Sequence, residues 1–179
     1  STFDMPNVDP NTTTLELLSA RNKLGSEKSW TNYSYYFGAT ETNLEEIKKL
    51  DPKETCGLKV FMGTSTGTLL VEDDFALEQI FEHCPVTIVT HCEDNETIKA
   101  NLDKINSKNK ELDASFHPII RNDDCCYKSS SKVINLAKKY SADLHVLHLT
   151  TEKEIKLFEN IDLKNKKITC EVCVHHLWF

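Results

Sequence analysis

Short runs rich in β-branched and aromatic residues alternate along the chain with longer stretches whose apolar positions recur at helical spacing. Strand character falls at residues 2–5, 32–37, 57–62, 86–90, 144–149 and 167–174. Helices are predicted between them. Residues 13–24 follow a threonine-rich cap, and 44–50 follow Thr42-Asn43. Residues 73–81 carry Phe75, Leu77, Ile80 and Phe81, and 95–108 place Ile98, Leu102 and Ile105 on one face. Residues 132–140 repeat Val133, Leu136, Ala137 and Tyr140, and 151–158 carry Ile155 and Phe158. Such stripes suit amphipathic helices laid against a sheet.

Strands alternating with helices imply parallel pairing through βαβ crossovers. Two α/β architectures satisfy that pattern, an open doubly wound sheet and a section of a (β/α)8 TIM barrel. No G-x-G-x-x-G or Walker motif follows the first strand, so the usual reason for an open nucleotide-binding sheet is missing. Asn7, Lys59, His91, His148 and the pair His175/His176 fall at or just past predicted strand ends. In a barrel those ends converge on one mouth, where βα loops build the site. The expectation is therefore an incomplete barrel without strands one and eight. Residues 1–179 would be the central part of a single domain with no internal boundary. The polar segment from Asn109 to Asp124 breaks the alternation and reads as a structured βα loop, with His117 structural.

Composition narrows the partners. A net charge of -7 argues against nucleic acid or an anionic membrane, both of which need a basic face. Lys164, Lys166 and Lys167 read as a solvated loop. The 7 cysteines, an odd number with no framework spacing, fit a reducing, cytoplasmic compartment. The sequence has neither a leader nor an apolar run near the roughly 18 residues of a membrane span. The opening Ser-Thr-Phe-Asp and the apolar ending Leu177-Trp178-Phe179 read as cuts in a longer protein.

Lys59 sits inside the apolar run Leu58-Lys59-Val60-Phe61-Met62. Burying an ammonium group costs several kcal/mol unless something neutralises it. One reading is a lysine at a strand edge that snorkels to water. The other is a neutral amine that has captured carbon dioxide as a carbamate, a carboxylate able to bridge two metal ions. His91 closes the run Val86-Thr87-Ile88-Val89-Thr90. In Leu144-His145-Val146-Leu147-His148 the two histidines are three apart, so on a strand they face opposite ways. His148, nearer the end, is the better ligand, and His145 is expected to face the helix layer. Imidazoles suit zinc, and an anionic bridge holds a metal pair about 3.5–4 Å apart. Cys170-x-x-Cys173 is expected within a strand, with its sulfurs pointing apart. A redox pair would instead require both to lie on a loop or helix start.

These residues resemble a known family. Asp4-Met5-Pro6-Asn7, Gly57-Leu58-Lys59-Val60-Phe61-Met62, Thr90-His91-Cys92-Glu93, Leu147-His148-Leu149-Thr150 and Glu171-Val172-Cys173-Val174-His175-His176-Leu177 are similar, in order, to barrel segments two to seven of dihydroorotases. The resemblance implies reversible conversion between L-dihydroorotate and N-carbamoyl-L-aspartate in pyrimidine synthesis, with a metal-bound hydroxide as nucleophile. It implies two zinc ions, with Lys59 as the carbamylated bridge and His91 and His148 as metal ligands. Asn7 would bind the substrate carboxylate, and a homodimer is compatible. The family's first-strand His-x-His and its nearby arginine have no counterpart in this sequence. Its last-strand aspartate would lie beyond Phe179, so no catalytic acid–base residue is expected here and these residues alone are expected to be inactive. An allantoinase or dihydropyrimidinase, or a non-catalytic assembly partner, are the alternatives.

Overall fold

Each run with strand character becomes a strand, and the strands lie side by side in chain order. The computed structural model describes residues 1–63, 68–107 and 112–178. Its strands are β1 (Thr2–Asp4), β2 (Tyr33–Gly38), β3 (Gly57–Met62), β4 (Ile88–Cys92), β5 (Leu144–Val146) and β6 (Ile168–Cys170). The helices are α1 (Leu15–Lys28), α2 (Leu44–Ile47), α3 (Asp74–His83), α4 (Asn95–Asn106), α5 (His117–Ile120), α6 (Asp123–Tyr140), α7 (Glu152–Ile155) and α8 (Val174–Trp178). All neighbouring strands are parallel, in the order β1-β2-β3-β4-β5-β6. A doubly wound sheet reverses its strand order at a switch point. Strict succession is instead the arc of a barrel.

Register assigns the two faces. Leu58, Val60 and Met62 of β3 are in line with Ile88, Thr90 and Cys92 of β4, and Leu144 and Val146 of β5 continue the row. This face is buried against Leu18, Ile47, Leu77, Ile80, Phe81, Val133, Ile134 and Ala137 of the helices. Side chains alternate along a strand, so Lys59, Phe61, Val89, His91, His145 and Thr169 share the opposite, concave face. Among the described residues no helix is long and apolar enough to cross a membrane.

Several boundaries differ from the sequence expectation. β4 both starts and ends two residues later than the expected 86–90, so His91 lies within the strand. β5 ends at Val146 because its ladder changes partner. Leu147 N–H donates to the Thr90 carbonyl on one side, and Leu149 N–H donates to the Glu171 carbonyl on the other. His145, expected to face the helices, is in line with Val89 and Thr169 and lies on the concave face. β6 is also short. The chain turns into α8, where His176 N–H donates to the Cys173 carbonyl, so Cys173 leaves the strand and His175/His176 lie on a helix.

The segment between α4 and α6 holds a 3-10 turn at Ala114–Phe116 and then α5. Lys108, expected to end the preceding helix, and Asn109, expected to open this segment, lie outside the described residues, as does Phe179. α6 begins at Asp123 rather than near residue 132. Asn122 accepts the Cys125 N–H as N-cap, and the small residues Cys125, Ser129 and Ser130 bury the early turns.

Candidate functional site

Lys59, third residue of β3, is 1% exposed. Its Nζ lies 3.4 Å from the Val60 carbonyl oxygen and 4.3 Å from the centre of the Phe61 ring. Among the described residues no carboxylate forms an ion pair with it. Burial disfavours the ammonium form and pulls the lysine down to about 7, against smaller opposing effects of Cys92 and Glu171. Near neutral pH a substantial share of the side chain is therefore a free amine.

His91 and His148 meet on the concave side. His91 Nδ1 lies 3.2 Å from His148 Nε2. His148 gets there by leaving the strand: its φ is 34°, a left-handed backbone that a histidine seldom adopts. The residues on either side are fixed to Thr90 of β4 and to Glu171 just past β6, so the unusual backbone is imposed by the sheet and aims the ring. Burial, with the neighbouring His91, lowers the His148 pKa and favours a neutral imidazole. Two imidazole nitrogens at this distance match the bite of one tetrahedral zinc, for which bonds of about 2.0–2.1 Å put adjacent nitrogens roughly 3.3 Å apart.

Glu93 continues the chain of contacts. Its Oε2 lies 2.8 Å from His91 Nε2, the ring nitrogen facing away from His148. Arg121 donates from Nε to Glu93 Oε1 at 2.7 Å and from Nη2 to Oε2. Burial alone would push this carboxyl up. The hydrogen bonds from His91 and Arg121 and the guanidinium charge outweigh it and hold Glu93 at about 2. A carboxylate on the far nitrogen fixes ring orientation and tautomer and leaves Nδ1 as the free lone pair. His91, Glu93, His117, Arg121, Cys126, His148 and Glu154 line a recess of about 260 Å³.

Lys59, His91 and His148 are the ligand candidates that the sequence offers. The structure brings the two histidines into contact and buries the lysine on the same face. Asn7 is exposed in the loop after β1 and lines another recess with Asp9, Asn11 and Thr13. His117, read as structural, lines the same recess as His91. Glu93 and Arg121 were missed. The signal for Glu93 was its place two residues after His91, but Arg121 lay in a segment with no periodicity. His145 pairs with Thr169 Oγ1 at 2.8 Å and with Glu171 at 3.4 Å.

No protein-family model matches the chain. Across 98% of its length it is 24% identical to a dihydroorotase of Methanosphaera stadtmanae, 40% of which is matched. The L-hydantoinase (dihydropyrimidinase) from Arthrobacter aurescens superimposes with a TM-score of 0.84 at 24% identity, over 95% of this chain and 38% of that one. The inactive dihydroorotase-like domain of the Chaetomium thermophilum CAD-like multifunctional protein superimposes with a TM-score of 0.62 at 18% identity, over 99% of this chain and 43% of that one. The chain spans about 40% of the length of the curated relatives it matches. It is similar along its whole length to cyclic amidohydrolases, and its sheet is an incomplete TIM barrel of their type.

Proposed function

We propose that the protein carrying this chain is a metal-dependent cyclic amide hydrolase, and specifically a dihydroorotase converting L-dihydroorotate and N-carbamoyl-L-aspartate into one another. The observation that carries the reading is a buried, uncharged-leaning Lys59 on the same concave face as two imidazole nitrogens 3.2 Å apart. A structural core has no need of that combination. The donor set fits a metal centre: His91 and His148 would hold one ion, and Lys59, if its free amine added carbon dioxide and lost a proton to solvent, would offer a carboxylate as a further ligand. When bound, divalent zinc activates water and polarises an amide carbonyl.

The chain's own residues have defined tasks in this reading. Glu93 holds the His91 ring, Arg121 holds Glu93, and the left-handed backbone of His148 aims the second ring. Phe61 covers the Lys59 amine and keeps it dry. Asn7 is proposed to hydrogen-bond the substrate carboxylate from the loop after β1. The resemblance of Met5-Pro6-Asn7 and of Val174-His175-His176-Leu177 to dihydroorotase segments is what points to this substrate; an allantoinase and an L-hydantoinase match the chain overall at the same level, 25% and 26% identity.

A second reading, a non-catalytic assembly partner, draws on the inactive domain among the structural neighbours. The placement of Lys59, His91 and His148 on one face weighs against it. Hydrolysis of dihydroorotate, allantoin, hydantoin and dihydrouracil by the intact protein, assayed side by side with zinc, tests the proposal. Preferred turnover of dihydroorotate is expected. Preference for another ring assigns a sister activity, and no turnover of any by zinc-loaded protein leaves the non-catalytic role.

A further inference from the structure

The Cys170-x-x-Cys173 motif does not form the pair its spacing invites. Cys170 ends β6 and packs towards the helix side of the sheet, whereas Cys173 lies past the strand, and both thiols are free. Cys173 has other company. One ligand atom each from Cys173, His175 and His176 lies within 4.8 Å of the others. Among the described residues no other such group of histidines, cysteines and carboxylates occurs. The rings of His175 and His176 meet edge to face, with centres 4.2 Å apart.

We propose that Cys173, His175 and His176 form a metal site for one thiophilic divalent cation of the zinc class, sharing no ligand with Lys59, His91 and His148. Three arguments support it. The first is geometric. Zinc bonds of about 2.3 Å to sulfur and 2.0–2.1 Å to nitrogen place tetrahedral neighbours roughly 3.5 Å apart. The donors therefore need to close by little more than an ångström, and His175 is exposed. The second is the local backbone. The turn into α8 brings residues 173 and 176 together, and His176 Nδ1 accepts the Cys173 N–H at 3.3 Å. That is a long hydrogen bond, so a cation displaces a weak interaction when it takes the same lone pair. The third is chemical type. One thiolate and two imidazoles select zinc, cobalt or cadmium over magnesium or calcium, which prefer oxygen.

On binding, the Cys173 S–H bond breaks, its proton passes to solvent, and a sulfur–metal bond forms. Three protein donors leave the fourth position to water or an added ligand, the arrangement of an open zinc site. The ion would join the end of β6 to the first turn of α8.

Cobalt(II) titration of the intact protein after chelator treatment tests the site, because only a thiolate ligand gives an intense sulfur-to-cobalt charge-transfer band. The band is expected to level off at the intensity of one thiolate-bound cobalt per chain, to be lost in Cys173→Ser, and to be lost or no longer saturable in His175→Ala. It is expected to persist in Lys59→Ala and His91→Ala, so failure of the hydrolase reading leaves this result untouched. His175 is exposed, so its variant remains informative should Cys173→Ser fold poorly, with circular dichroism as the check. Absence of the band in the folded wild-type protein overturns the proposal. So does a band that survives Cys173→Ser, or one that vanishes with His91→Ala instead.

Discussion

Lys59 is where stability and chemistry oppose each other. An unfolded lysine titrates near its ordinary 10.5, whereas the native one has been pulled down to about 7. Between those values the unfolded chain holds a proton that the folded chain has shed. In metal-free, carbon-dioxide-free buffer, stability is therefore expected to rise as pH climbs from about 7 towards 10.5, and below about 7 the full cost of the buried ammonium is present. Lys59→Met should flatten that slope and stabilise the metal-free protein at neutral pH by a few kcal/mol, at roughly 1.4 kcal/mol for each tenfold change in the protonation equilibrium. Urea denaturation across the window measures both effects, and an unchanged slope contradicts the burial argument. Glu93 makes a second prediction. Arg121→Met or Glu93→Gln should weaken metal binding about 10–100-fold by loosening the His91 ring, as read by competition with a chromophoric chelator. Affinity equal to wild type would show that the ring needs no such support. Lys59, His91 and His148 were legible in the sequence because each is a polar residue where the pattern demands an apolar one or a strand end. Arg121 was not, since its partner is 28 residues away and nothing local marks the contact.

The elements were legible in number and order, less so at their ends. Period and flanking turn residues locate a strand, but its last residue depends on when a neighbour stops supplying hydrogen bonds. β5 stops because its ladder passes from Thr90 to Glu171 around a left-handed His148, and this exchange reverses the face expected of His145. α6 starts early because Asn122 caps it and small side chains suffice for close packing, although Cys-Cys and Ser-Ser-Ser are poor helix signals. Gly63 shows how an element end serves the site. At φ 100° just after β3, an added Cβ would lie 2.7 Å from Glu93 Cβ and 3.0 Å from its carbonyl oxygen. Gly63→Ala is expected to destabilise by about 1–3 kcal/mol and also to weaken metal binding, because relief of the clash moves Glu93. Thermal unfolding and metal titration of one preparation check both. A loss of stability with unchanged affinity would separate the turn from the site.

At the scale of the whole molecule, six parallel strands in sequence order form an arc whose helix side is a continuous core. The concave side carries Lys59, Phe61, His91 and His145. The arc was legible because polar residues gathered at strand ends, which a barrel explains and a doubly wound sheet does not. The sequence holds no His-x-His, so the further ligands that the proposed metal pair would need in that form are not among these residues. The chain expressed alone is accordingly expected to show no turnover of dihydroorotate, and measurable hydrolysis by it would overturn that ligand assignment. The central claim is that Lys59, His91 and His148 form a hydrolytic metal centre. Its most direct test is metal content and dihydroorotate turnover measured on the same preparation of the intact protein, wild type beside Lys59→Met and His148→Ala. Wild-type protein is expected to be active and to hold bound metal, with both variants folded, depleted of metal and inactive. Variants that keep both metal and turnover would contradict it.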